Sequence, residues 1–307
     1  MKKISVIVPV YFNAESLPIL FEKIKKIESQ LIDLEMMLEL VFVDDGSGDT
    51  SLEELLNIKK ARPSTKIAKL TRNFGAVHAS KCGMQFVTGD CFMILAADLQ
   101  DPPELILQMV EKWRAGSKFT ICVRISREDP FISKFFAACY YWLLHRLVMA
   151  NYPAGGYDMA LMDKTLLPHV QQSSKNLYTP LLAYWLGYKP VVIPYQRARR
   201  EHGKSHWTFK KKFKAFIDVM LGFSVTPIRL ISGFGAIVSC LSFTYGLSVV
   251  LHATFGKMPI QGFASIVALI TFLLGLIIVM LGIIGEYLWR VFDEINKRPE
   301  VVIDEIY

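Results

Sequence analysis

The chain has 307 residues, 52% of them hydrophobic, with a mean hydropathy of +0.32 and a formal net charge of +7. That length leaves room for one large domain or two small ones, and the hydropathy is high for a soluble protein. The five cysteines are odd in number and form no CxxC pair, which excludes a paired metal or redox motif and predicts reduced, buried thiols.

The first 125 residues alternate strand and helix signals. ISVIVPV (4–10) is a continuous apolar strand, followed by a helix from Glu15 to about Gln30. The apolar run at the N-terminus breaks at Pro9, so no secretory leader is expected. LELVFVDD (38–45) is a second strand ending in acids, and GSGDTSLEELL opens a helix in which Thr50 with Glu53, or Ser51 with Glu54, fits a capping box. KIAKL (66–70), CFMILAA (91–97) and KFTICVR (118–124) are further strands. Helices are expected at 76–86 and from Pro102–Pro103 to about Trp113, proline being tolerated in a first helical turn. Apolar strands separated by helices predict an α/β fold with a mostly parallel sheet covered on both faces, whose ligands bind beyond the carboxyl ends of the strands.

Past Arg124 the pattern changes. FISKFFAACYYWLLHRLVMA (131–150) is helical and aromatic, and suits either a core helix or one lying on a membrane surface. Residues 197–214 hold eight Lys/Arg against Glu201, a net +7 that leaves the rest of the chain near neutral. FKKKFKAFIDVML (209–221) has a basic and an apolar face, as an interfacial helix does. Residues 230–251 and 260–285 contain no Asp, Glu, Lys or Arg, and each stretch is long enough to span a bilayer. The short linker between them makes a hairpin, and the basic residues beside its ends place both termini in the cytoplasm. The expected organisation is a catalytic domain over 1–200, basic juxtamembrane helices over 201–229, two spans within 230–289 (about 230–251 and 260–288), and a cytoplasmic tail over 290–307. A basic cluster at a membrane points to anionic lipid or a lipid phosphate rather than to nucleic acid.

Three strand ends carry chemistry. Asp44-Asp45-Gly46-Ser47 supplies carboxylates able to accept from a nucleobase N–H or ribose hydroxyls, although DGS is also an ordinary turn. Arg72, in Thr71-Arg72-Asn73-Phe74-Gly75, suits a diphosphate or a surface ion pair. Asp98-Leu99-Gln100-Asp101 offers a carboxylate and an amide oxygen to a hard cation, which takes its remaining ligands from substrate phosphates and water. Asp101, ahead of Pro102, is instead placed to cap the next helix.

The motifs VIVPVY, VDDGSGDTS, TRNFG, GD-x5-AADLQDPPE and the late Arg200-x-x-Gly203-x-Ser205, with the terminal hairpin, resemble family 2 glycosyltransferases of GT-A fold. Within that family the likeness is to the polyprenyl-phosphate sugar transferases, and it covers nearly the whole chain. It implies a nucleotide-sugar donor, Mg²⁺ or Mn²⁺ on its diphosphate, and a polyprenyl phosphate acceptor. By position it implies nucleotide contacts from Pro9, Tyr11, Asn13, Asp44, Asp45, Arg72, Asn73 and Ala97, and metal ligation by Asp98 and Gln100. It further implies catalytic roles for Asp98, Arg124, Arg127, Asp158 and Arg200. Lys204, Ser205, His206, Lys210, Lys211, Lys212 and Lys214 would meet the lipid phosphate and membrane. Relatives with this hairpin can self-associate. The chain departs from the family pattern where Ala96 replaces the first acid of DxD, Phe12-Asn13 replaces Asn-Glu, Ala160 replaces an arginine, and His206 replaces a lysine.

The implied reaction is inverting transfer, commonly from a UDP-hexose, to undecaprenyl phosphate at the inner face of the plasma membrane. A phosphate oxygen is already anionic near neutral pH and needs no general base. Two other readings stand beside it. One is a degenerate, membrane-anchored scaffold that binds nucleotide sugar. The other, a processive polysaccharide synthase, is disfavoured because the sequence lacks Gln-x-x-Arg-Trp.

Overall fold

A computed structural model describes residues 1–125, 131–175, 177–197, 209–255 and 262–307. Two compact units divide the chain: Met1–Val219 with Pro299–Tyr307, and Met220–Arg298.

The first unit is built on an eight-stranded sheet of order β7-β5-β6-β4-β1-β2-β3-β8. Its strands are β1 (Lys2–Val10), β2 (Met36–Asp44), β3 (Lys66–Leu70), β4 (Cys91–Ile94), β5 (Phe119–Arg124), β6 (Met159–Asp163), β7 (Val191–Tyr195) and β8 (Ile303–Ile306). The central strands β4, β1, β2 and β3 are parallel, and β5 runs with β7; β6 and β8 oppose their neighbours. The sheet is thus mostly parallel, as the uninterrupted apolar runs predict.

Helices cover both faces. Ile4, Val6, Val8 and Val10 point into one core with α1 (Leu17–Asp33), α2 (Ser51–Ala61) and α4 (Leu105–Arg114). Val41, Val43 and Leu70 face the other side, where α3 (Ala76–Met84) packs. That helix sits tight on the sheet at Gly83, where a Cβ would fall 2.3 Å from Ile7 Cγ2. Further along the chain lie α5 (Phe131–Leu147), α6 (Leu167–Gln171), α7 (Thr179–Trp185) and α8 (Phe209–Phe223).

Local expectations fail where a side chain finds a distant partner. Thr50 makes no side-chain cap on α2; Asp49 does the work, accepting from the backbone N–H of Ser51 at 3.1 Å and of Ala14 at 3.4 Å. Pro102 and Pro103 precede α4 in a turn rather than occupy its first positions. Three cysteines are buried as expected, but Cys139 and Cys240 are exposed.

Of the expected C-terminal tail over 290–307, the first residues continue α10 and Ile303–Ile306 join the sheet. β8 pairs antiparallel with β3, matching Ala68 with Ile306 and Lys69 with Glu305. Lys69 meets Asp304 at 2.6 Å. Just before the strand, the carboxylate of Glu300 lies 2.8 Å from His78 Nδ1 and 2.8 Å from the buried Lys81 Nζ, both on α3. A short, exposed segment with two adjacent acids reads as a tail because its partners are more than 200 positions away.

The second unit holds α9 (Thr226–Phe255) and α10 (Phe263–Ile295). Within them Thr226–Ser248 and Phe272–Ile295 are long and apolar enough to cross a membrane, and neither is buried within the protein. The two helices could form a transmembrane hairpin. Their bounds differ from the charge-free runs: α9 begins before residue 230 and ends after residue 251, and α10 continues through Glu286 and Arg290, which pair at 3.5 Å. Tyr287 Oη donates to the Ser224 carbonyl at 3.5 Å across the base of the hairpin.

At the amino ends of the strands, the buried Glu39 ties four segments together. Its carboxylate accepts from Ser5 Oγ, from Lys66 Nζ at 2.9 Å, and from the amide and hydroxyl of Thr88 at 2.8 and 2.7 Å. Burial alone would raise its pKa, but these donors outweigh it and bring the group down to about 2. Because the folded pKa is depressed, the stabilisation is present in full above the unfolded value of 4.5 and fades as pH falls toward about 2. Replacing Glu39 with Ala should cost about 2–4 kcal/mol, since buried donors lose their acceptor. Urea unfolding in detergent should also show a flatter pH dependence in that acid window.

Candidate active site

The sheet's parallel strands bring their carboxyl ends to one edge, and β6, running the other way, presents Asp158 there at its amino end. Two groups of side chains result, one over β1–β3 and one over β4–β7.

In the first group the loops lock onto each other through buried acids. Asp44 closes β2, accepts from the Ser47 amide at 3.2 Å, and is pushed up in pKa by burial against the pull of Ser47. Asp45 is spent on backbone. Its two oxygens accept from the N–H of Phe74 at 2.7 Å and of Gly75 at 2.9 Å, which holds the loop after β3. Burial pushes its pKa up, and those two donors pull it back. Gly46 has φ +68, and a Cβ there would fall 2.6 Å from the Arg72 carbonyl carbon, so the two loops touch through backbone. Arg72 and Asn73 are thereby held exposed at the rim, with the Arg72 guanidinium 4.5 Å over the ring of Phe74.

Asn13 also builds structure. Its side-chain oxygen accepts from the Tyr11 amide at 3.0 Å, its backbone N–H donates to Ser51 Oγ at 2.9 Å, and its carbonyl accepts from Ser16 and Leu17. Pro9 and Tyr11 lie at the end of β1 beside the end of β2. Phe12 adopts φ +55 with its ring edge-on to Tyr11 at 4.7 Å, its amide donating to Ser47 Oγ.

The second group centres on the loop after β4. Ala97 is buried, so its backbone rather than its methyl group is what the site can use. Asp98 Oδ1 accepts from the Gln100 amide at 3.2 Å across Leu99, which adopts φ +59. Such a conformation costs a non-glycine residue about 1–2 kcal/mol and is commonly kept for function. Asp98 and Gln100 are half-buried and offer a carboxylate and an amide oxygen. No cluster of three metal-ligating acids, cysteines or histidines occurs among the described residues. This donor set fits a hard cation that draws its other ligands from a bound diphosphate.

Asp101 does not cap α4. It is buried, and its Oδ1 accepts from Tyr195 Oη at 2.7 Å and lies 3.0 Å from Arg197 Nε. Burial raises its pKa, with Arg197 and Tyr195 opposing. Asp158 forms a two-pronged ion pair with Arg124, Nε to Oδ2 at 2.6 Å and an Nη to Oδ1 at 2.7 Å. Tyr195 Oη reaches Asp158 Oδ2 at 2.9 Å, and Arg197 Nη1 lies 3.8 Å from Asp158 Oδ1. Burial and both carboxylates push the Tyr195 hydroxyl up, so it stays protonated.

The structure therefore brings Asp98, Gln100, Asp158 and Arg124 to one edge, and adds Asp101, Tyr195 and Arg197. Tyr195 had no sequence signal, lying in VVIPY among ordinary strand residues, and Arg197 was hidden in a basic run. Arg127, Arg200, Lys204, Ser205 and His206 lie outside the described residues. Lys210, Lys211, Lys212 and Lys214 fall on α8, with side chains outside the described residues. Asp45→Ala would leave two half-buried amides without their acceptor, at a cost of about 1–3 kcal/mol. Hydrogen exchange at Phe74 and Gly75 should then accelerate sharply, while that at Glu39 should not.

Known proteins share this architecture. Residues 5–167 match the glycosyl transferase family 2 pattern. An uncharacterized glycosyltransferase of Bacillus subtilis is 33% identical over 305 residues, covering 99% of this chain and 94% of the relative. An undecaprenyl-phosphate 4-deoxy-4-formamido-L-arabinose transferase of Klebsiella pneumoniae is 31% identical, covering 100% and 94%. A prophage bactoprenol glucosyl transferase homolog of Escherichia coli is 29% identical, covering 99% of each. Among solved structures, a mannosyltransferase of Pyrobaculum calidifontis in complex with GDP-Man and Mn²⁺ aligns with TM-score 0.50 at 18% identity, covering 89% and 80%, a likeness of fold. The chain belongs to glycosyl transferase family 2: it is a glycosyltransferase, with full-length relatives among the undecaprenyl-phosphate and bactoprenol sugar transferases.

Proposed function

We propose that the protein moves a sugar from a nucleotide diphosphate sugar to a polyprenyl phosphate at the cytoplasmic face of the membrane. The observation that carries this reading is similarity along the full chain, through both apolar helices, to the Klebsiella pneumoniae undecaprenyl-phosphate transferase. A catalytic domain alone would not need those helices, whereas an acceptor buried in lipid does. Chain connectivity supports one membrane face: the hairpin leaves the first unit after Val219 and returns to it at Pro299, so both its ends belong with the catalytic sheet. The basic run over 197–214 favours the cytoplasmic side.

In this reading Pro9, Tyr11, Asp44, Asn73 and the backbone beside Ala97 hold the nucleoside, and Arg72 approaches the diphosphate. Asn13 and Asp45 act by shaping the loops that do so. Asp98 and Gln100 would hold Mg²⁺ or Mn²⁺, which would offset charge on the departing diphosphate. Arg124, steered by Asp158, faces the incoming phosphate together with Arg127 and Arg200, and the lysines over 204–214 hold lipid phosphate and headgroups. The acceptor oxygen attacks unaided by a base, because it is already anionic. Direct displacement inverts the anomeric carbon.

A donor screen with short-chain polyprenyl phosphate and Mn²⁺ should give a lipid-linked sugar, identified by mass. Nucleoside diphosphate binding that persists with no product from any common donor would favour a sugar-binding scaffold instead. Asp98→Asn should abolish metal-dependent nucleoside diphosphate binding in calorimetry; unchanged binding would refute the ligand assignment.

A further inference from the structure

We propose that Tyr195 is a positioning residue whose hydroxyl ties the cation-binding loop after β4 to Arg124 at the end of β5, and so sets the separation of donor diphosphate and acceptor phosphate. The inference rests on the reading above for what the two sides bind, but the tie itself is a matter of geometry.

Tyr195 ends β7, in register with Arg124 on the neighbouring β5. Its ring belongs to the core, and its hydroxyl emerges between two acids from different loops: Asp101 Oδ1 at 2.7 Å and Asp158 Oδ2 at 2.9 Å. A phenol has one proton to donate, so it cannot fully satisfy two carboxylates; the second cation of the cluster, Arg197, lies 3.0 Å from one and 3.8 Å from the other. Each acid has a separate duty. Asp101 anchors the turn that presents Asp98 and Gln100, three and one positions away. Asp158 fixes the guanidinium plane of Arg124 by a two-pronged pair, which a single-point contact would leave free to rotate. Moving Tyr195 Oη therefore moves both sides at once. A tyrosine buried for packing alone would be served as well by phenylalanine, without a hydroxyl wedged between buried charges.

The test uses the full chain in detergent. Tyr195→Phe keeps the ring and removes the tie. Hydrogen exchange of the peptide spanning 95–104 should rise about tenfold while that of β1 does not change. With the donor identified in the screen, kcat should fall about tenfold or more and the donor KM should change less than threefold, since orientation rather than ground-state binding is lost. Tyr195→Phe combined with Asp158→Asn should lose no more than the weaker of the two single variants, because both break one linkage. Unchanged exchange over 95–104, or losses that multiply in the double variant, would overturn the proposal. If Tyr195→Phe does not fold, Arg197→Gln takes its place: faster exchange over 95–104 supports the tie and unchanged exchange overturns it. A wild-type chain that transfers no sugar defeats the functional reading alone, as the exchange measurement does not depend on turnover.

Discussion

Burying a carboxylate costs several kcal/mol unless donors are built around it. This sheet buries four, Glu39, Asp44, Asp45 and Asp101, and the donors of three of them come from distant segments of the fold. Glu39 takes donors from β1, β3 and the segment before β4. Asp45 takes two amides from the loop after β3. Asp101 takes a hydroxyl from β7. Glu39, Asp45 and Asp101 therefore act as bolts between segments distant in sequence, whereas Asp44 accepts locally from the Ser47 amide. The two ends of the sheet use the device differently. At the amino ends the donors outnumber the need and the carboxylate is held strongly ionised. At the carboxyl ends burial dominates and the acids are held less comfortably, close to where anionic substrates would arrive.

That arrangement divides labour among residues that a motif lists together. In VDDGS, Asp44 and Asp45 are adjacent but not equivalent: one stands at the strand end, the other is consumed in fastening a neighbouring loop. In DLQD, Asp98 is half-exposed on a strained turn while Asp101 is buried beneath it. An acid in a recurring motif can thus serve chemistry by holding still another residue, and only its hydrogen-bond partners tell the two roles apart.

The same contrast explains how much could be read from the sequence. β1 through β5 announce themselves because strands buried on both faces are continuous apolar runs, and α9 and α10 because bilayer-length stretches without charge are rare. The acids at the strand ends were legible for the same reason: each interrupts an apolar run. β6 (MALMD) and β7 (VVIPY) are short and lie between irregular segments, and β8 (IDEI) sets two adjacent acids between isoleucines at an edge. Their identity depends on what they pair with. Tyr195 and Arg197 were beyond reach for a related reason. Tyr195 meets Asp101 across 94 positions, and no local pattern encodes that distance.

The pairing of β8 with β3 has a consequence for how the protein is made. The strand that closes this edge of the catalytic sheet follows both apolar helices in the chain, and so is synthesised after them. Until then the edge of β3 lacks its partner, and Lys81, almost fully enclosed in the finished fold, lacks the carboxylate of Glu300. The sheet can close only once both apolar helices have been made. Completion of the sheet is in this way made contingent on synthesis of both helices, so that a chain cut short before Glu300 and β8 would be left with an open sheet edge and a buried lysine without that carboxylate, a form suited to recognition by quality control rather than to catalysis.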